Sequence, residues 1–273
     1  MRALIISDIS CVGRCSVTAM LPILTCFDIE AVPLPTALLS SQTGGIDDFT
    51  FAPLGRHHAG IIGHWKRLGI TFDAVITGYF AETANFKTAL TVKEELGRRD
   101  ADGKNSCFLI VDPVLGENGK LYQGMTESFV RAMKRFIRFA DVILPNLTEA
   151  EILTDSKGAA ALEQIAELNR NAVVTGIEIG KTITAAHPAS AFSYSVKRSE
   201  GVFHGAGDVF SAVFSGGYLS GFGVERSIKL AADFCRRAVV KTVGCDTRLG
   251  LNFEAELPWL INSIRKLRAE KAY

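Results

Sequence analysis

The chain has 273 residues, 48% hydrophobic and 22% charged, with a formal net charge of +1. Such a chain buries a sizeable core, and its near-neutral balance excludes the basic field expected of a nucleic-acid binder. The N-terminus, MRALIISDIS, is too short and too soon broken by Asp8 for a signal peptide, and residues 17–39 are too interrupted by Pro and acids for a membrane span.

In chain order, short runs rich in Val and Ile predict buried strands at 3–7, 31–34, 73–77, 107–112, 141–145 and 171–176. Helical patterns lie between them near 15–26, 54–68, 83–98, 126–138 and 158–169. This alternation predicts an α/β fold with a mainly parallel central sheet flanked by helices on both faces. Residues 181–199 alternate polar with apolar around His187-Pro188, which predicts an antiparallel edge hairpin. From 207 the chain reads as helical, over 207–219, 224–241 and 254–271. No repeat or linker divides the chain, so residues 1–273 are expected to form one domain. Six scattered cysteines without C-x-x-C spacing predict reduced, mostly buried thiols and a cytoplasmic setting.

Ligands in open α/β sheets gather at the carboxyl ends of strands, so the residues following each strand carry the functional reading. HGAGD (204–208) places Gly205 and Gly207 at a tight corner before a helix. The first amides of that helix lack intrahelical partners and make a ready site for a phosphate or a developing negative charge. Asp208 beside it suits a general base taking a hydroxyl proton while that site steadies a phosphoryl group; an acid that merely favours the first helical turn is the plainer alternative. DPVLGENGKLY (112–122) supplies Asp112 and Glu117 on a turn where two acids suit water-mediated magnesium. PNLTEAEIL (145–153) contains Thr148-x-x-Glu151, a capping box. Asn146 and Glu149 are then left for nucleotide phosphate or magnesium. Neither a Walker A loop nor a protein-kinase signature set occurs in the sequence.

Taken in this order, the segments resemble the ribokinase-like superfamily of small-molecule kinases over almost the whole chain. The G-A-G-D at 205–208 is similar to that superfamily's signature. SDISCVGRCSVTA (7–19), SSQTGG (40–45), TGYFAE (77–82), DPVLGENGKLY and PNLTEAEIL resemble the blocks of the pyridoxal kinases, the vitamin B6 salvage branch. The resemblance implies ATP-dependent phosphorylation of the 5′-hydroxymethyl group of pyridoxal, pyridoxine or pyridoxamine. It implies Asp208 as general base, Gly205, Ala206 and Gly207 as the anion hole, and Ser7, Thr43 and Tyr79 at the vitamer ring. Asn146, Thr175 and Glu117 fall at the nucleotide, Asp112 and Glu149 at Mg2+. A monovalent cation such as K+ near the nucleotide and a homodimer are implied with them. A hydroxymethylpyrimidine or sugar kinase of the same fold, and a non-catalytic B6-binding protein, remain as alternatives.

Overall fold

The computed structural model describes residues 1–271. Strands β1 (Arg2–Val12), β2 (Glu30–Ser41), β3 (Phe51–Pro53), β4 (Ala74–Thr77) and β5 (Phe108–Val111) enter the central sheet. A small hairpin, β6 (Gly116–Glu117) and β7 (Lys120–Leu121), precedes the last central strand, β8 (Val142–Ile143). The order across the sheet is β3-β2-β1-β4-β5-β8. Only the edge pair β2–β3 is antiparallel. These runs read as buried strands because both faces are covered, which parallel sheets require.

Alternation along the strands feeds two cores. Ala3 and Ile5 of β1, Ala74 and Ile76 of β4 and Ile110 of β5 point to one face. There they meet α1 (Ser16–Thr25), α7 (Ala206–Leu219), α8 (Val224–Thr242) and α9 (Leu257–Lys271). Leu4, Ile6, Val75, Leu109 and Val111 point to the other. They meet α2 (Gly55–Arg67), α3 (Ala84–Leu96), α4 (Glu127–Phe136), α5 (Leu147–Thr154) and α6 (Gly158–Leu168). Burying each apolar side chain contributes on the order of 1.5–3 kcal/mol. The two-period parity of the strands therefore ties each helix to its face.

The helices fall close to their predicted positions, but three features differ from the sequence reading. The first strand does not stop at Ser7; it runs on to Val12, paired along its length with β2. Polar residues Asp8 and Ser10 hid this extension, because they are stabilised by the site they build rather than by apolar burial. The sixth predicted strand shifts to β9 (Val174–Ile179), where it pairs antiparallel with the hairpin β10 (Thr182–His187) and β11 (Phe192–Lys197). The hairpin thus completes a three-stranded sheet of its own. Single bridges, Ile143 to Ala172 and Asn146 to Thr175, link that sheet to the central one. Finally, Cys11 and Cys245 are exposed rather than buried, while Cys15 and Cys107 are buried; all six thiols are free. No helix among the described residues is long and apolar enough to cross a membrane.

Candidate active site

The sheet order reverses at β1: the chain passes to β2 on one side and later to β4 on the other. The crevice lies at such a switch point, outside the strands' carboxyl ends. At that end of β1 the pairing with β2 slips between Ser7 and Ile9. The extra residue lies on β2, between Pro35 and Leu38, a bulge of the kind found beside active sites. Ser7 Oγ accepts from the Tyr79 N–H at 3.1 Å and donates to Asp8 Oδ1 at 3.4 Å. Ser10 Oγ donates to Asp8 Oδ2 at 3.1 Å. Gly78 is required at this crossing, since a Cβ there would stand 2.6 Å from Ser7 Oγ. Burial, with Asp8 adding to it, pushes the Tyr79 hydroxyl up. Ser7, Asp8 and Tyr79 therefore share one pocket.

Thr43 is exposed on the turn after β2. Gln42 shapes that turn, accepting from Gly44 N at 2.8 Å and donating to Gly44 O at 2.7 Å and to Arg248 O. Gly44 lies so close to the His204 ring that an added Cβ would collide with Nδ1 at 2.2 Å. The turn bearing Thr43 thereby abuts the glycine corner.

At that corner Gly205 has φ +74° and caps α7 without a side-chain acceptor. A Cβ on Gly205 would meet Arg14 O at 2.4 Å. The close approach and the left-handed turn both demand glycine. The first amides of α7 are left open at the positive end of the helix dipole, and Gly207 faces open space. Asp208, in the first turn, is pushed up to about 7 by burial; the Ser16 backbone N–H opposes the rise and the Asp8 charge adds to it. Ser16 itself holds a left-handed φ of +47°.

Asp112 follows β5 directly and is only 9% exposed. Burial, then Glu149, then Asp208 hold its carboxyl well above the usual range. Glu149, 3% exposed, accepts from Leu115 N at 2.8 Å and Gly116 N at 3.5 Å through one oxygen. Its other oxygen accepts from Asn146 N at 2.9 Å. Burial pushes it up to about 7 against these bonds.

The capping box of α5 is therefore Asn146 with Glu149, not Thr148 with Glu151. The extended Asn146 backbone is where the chain turns into the helix, so the cap falls two residues earlier. Thr148 Oγ1 instead accepts from Gly119 N at 2.9 Å, and Glu151 pairs with Lys157 at 2.7 Å. Asn146 Nδ2 donates to Gly116 O at 2.8 Å, tying the helix start to the β6 turn. Thr175 stands beside it on β9, its N–H bonded to Pro145 O at 2.9 Å. Glu117 is exposed on the β6–β7 hairpin at the rim.

The structure thus gathers Asp208, Asp112 and Glu149 into one electrostatic cluster, with Ser7 and Tyr79 alongside. Thr43, Asn146, Thr175 and Glu117 lie on the surrounding turns. Asp8, Ser10, Cys15 and Ser16 were missed. Cys15 is a buried thiol pushed far up by burial, Asp208 and Asp8, so it is inert as a nucleophile. The signal available was the polar interruption of an apolar strand at Ser7-Asp8.

The switch-point crevice, with an acid at the open mouth of α7, defines a ribokinase-like α/β fold. A family model described as phosphomethylpyrimidine kinase matches residues 68–251, and the chain belongs to that family. It is similar to pyridoxal kinase from Lactobacillus plantarum, with 28% identity, a TM-score of 0.85 and 96% of each chain covered. A protein from Bacteroides thetaiotaomicron, provisionally assigned to the phosphomethylpyrimidine kinases and crystallised with pyridoxal, matches equally well. It has 28% identity, a TM-score of 0.85 and 95% of each chain covered. Pyridoxal kinase of Dictyostelium discoideum is 31% identical over 120 residues, 41% of this chain and 38% of that protein. The chain spans about half the length of the curated relatives it matches.

Proposed function

We propose that the chain transfers the γ-phosphoryl group of ATP to the 5′-hydroxymethyl group of a B6 vitamer: pyridoxal, pyridoxine or pyridoxamine. The observation that carries this reading is Asp208 at the uncapped start of α7, beside the pocket of Ser7 and Tyr79. Phosphoryl transfer asks for alignment and charge stabilisation more than covalent chemistry. Asp208 takes the acceptor proton; with its carboxyl at about 7, it is a base matched to neutral pH. The amides of Gly205, Ala206 and Gly207 face the charge that builds on the transferring group. Ser7, Thr43 and Tyr79 hold the flat ring. Asn146, Thr175 and Glu117 border the nucleotide phosphates.

Magnesium fits Asp112 and Glu149 by chemistry: both are hard oxygen donors whose raised carboxyls a cation would relieve. Glu149 already accepts three backbone N–H bonds, so its remaining lone pairs reach the ion through water. Bound magnesium supplies charge neutralisation for the phosphates. A monovalent cation such as K+ beside the nucleotide, a homodimer, a cytoplasmic location and one kinase domain over 1–273 belong to the same reading. The free cysteines support the location.

The test is ADP release from magnesium-ATP with each vitamer and with hydroxymethylpyrimidine. Turnover on the vitamers supports the reading. Turnover on the pyrimidine alone moves the acceptor to that ring, which the matched family's description favours. Absence of turnover on every acceptor refutes both.

A further inference from the structure

Strand β4 ends at Thr77, and the last backbone bond tying its continuation to β1 runs from Gly78 N to Ile6 O at 3.0 Å. Tyr79, the next residue, is held by side chains from two strands instead. Its N–H donates to Ser7 Oγ of β1 at 3.1 Å. Its carbonyl accepts from Thr36 Oγ1 of β2 at 2.8 Å. Thr36 is fully buried. A buried hydroxyl needs a partner, and this one has it on a residue of the acceptor pocket.

Thr36 reaches that partner from the β2 bulge. Pro35 stands opposite Ser7 and Leu38 opposite Ile9, so Thr36 and Ala37 share the stretch facing Asp8. Bulges re-aim side chains in this way. The backbone on either side is fixed by α2 and its entrance. The buried His58 of α2 donates through Nε2 to Pro35 O at 2.8 Å. Leu54 N, just before α2, donates to Thr36 O at 2.9 Å.

Holding both the amide and the carbonyl of one residue fixes the direction of its Cα–Cβ bond. For Tyr79 that sets where the phenol ring stands. We infer that Thr36 is a positioning residue for the acceptor: its hydroxyl, presented by the bulge, fixes Tyr79 through the carbonyl, and Tyr79 walls the vitamer ring. Fully buried, Thr36 acts through Tyr79 rather than on substrate. This rests on the B6 kinase reading above.

The experiment measures KM for pyridoxine and for ATP in the wild-type chain, in Thr36→Val, which loses the hydroxyl and keeps the shape, and in Thr36→Ser, which keeps the hydroxyl. Thr36→Val is also made in a Tyr79→Ala background. Thr36→Val should raise the pyridoxine KM about fivefold, as for one lost hydrogen bond, and leave the ATP KM unchanged. Thr36→Ser should stay near wild type. In the Tyr79→Ala background, Thr36→Val should change neither KM further, because the two residues act as one unit. A merely structural threonine lowers the melting temperature without splitting the two KM values, and that result overturns the inference. A rise that persists without the Tyr79 side chain overturns it as well. Should Thr36→Val not fold, Thr36→Cys replaces it, since a thiol of similar size is a weaker donor; a pyridoxine KM equal to that of Thr36→Ser then overturns the inference. Wild-type turnover of hydroxymethylpyrimidine alone refutes the B6 reading, and the same split, read on that ring, still decides the role of Thr36. Absence of turnover on every acceptor refutes both.

Discussion

Replacing Asp208 by Asn separates its catalytic effect from its effect on stability, and the two have opposite signs. The carboxyl rises from an ordinary 3.8 to about 7 in the fold. That difference of about 3 pH units is worth ~4 kcal/mol at ~1.4 kcal/mol per unit. Asp208 is only partly buried, and solvent screening reduces this to about 2 kcal/mol. The folded chain holds the proton more tightly than the unfolded chain. Its advantage is therefore complete below about pH 4 and is lost as pH rises toward 7. Asp208→Asn removes that loss. The variant should be about 2 kcal/mol more stable than wild type at pH 8, a melting temperature higher by about 4–8 °C. The two proteins should converge near pH 4. Turnover should fall by about 10²-fold or more with both substrates still bound. Thermal melts at the two pH values, beside ADP release, measure both effects. A melting difference that does not change with pH, or a wild type more stable at pH 8, refutes the electrostatic argument. Wild-type turnover in the variant refutes Asp208 as the base.

Gly205→Ala places a Cβ 2.4 Å from Arg14 O at a left-handed φ. It should cost about 1–3 kcal/mol in thermal unfolding and reduce turnover more than it raises the vitamer KM. Gly78→Ala pushes a methyl to 2.6 Å from Ser7 Oγ; the vitamer KM should rise several-fold while the ATP KM stays, and steady-state kinetics on both substrates reads the split. Asn146→Ala removes the α5 cap and the bond to Gly116 O. It should cost about 1–2 kcal/mol in a melt and raise the KM for ATP.

The α/β architecture was legible because parallel strands must be apolar on both faces, and runs such as AVIT and FLIV carry that requirement openly. The glycine corner was legible too, since Gly205 and Gly207 before an apolar helix leave few other conformations. Asp8 was not legible. Its burial depends on β1 running on past Ser7 beside β2, and such pairing is a property of two distant segments. Asn146 and Glu149 were assigned to the ligand side because Thr148 and Glu151 fit the capping pattern equally well. Only the backbone turn at Asn146 decides between the registers. β9 was displaced by three residues because its hairpin partners, rather than its own apolar run, fix where it pairs.

The central claim is that Asp208 directs the γ-phosphoryl group of ATP to the 5′-hydroxyl of a B6 ring. The most direct measurement is ADP release with pyridoxamine set against its 5′-deoxy analogue, which keeps the ring and 4′ group but lacks the acceptor oxygen. The account predicts ADP release and a phosphorylated product with pyridoxamine, and neither with the analogue. Equal ADP release with both compounds would contradict it, because the phosphoryl group would then be going to water or to another oxygen.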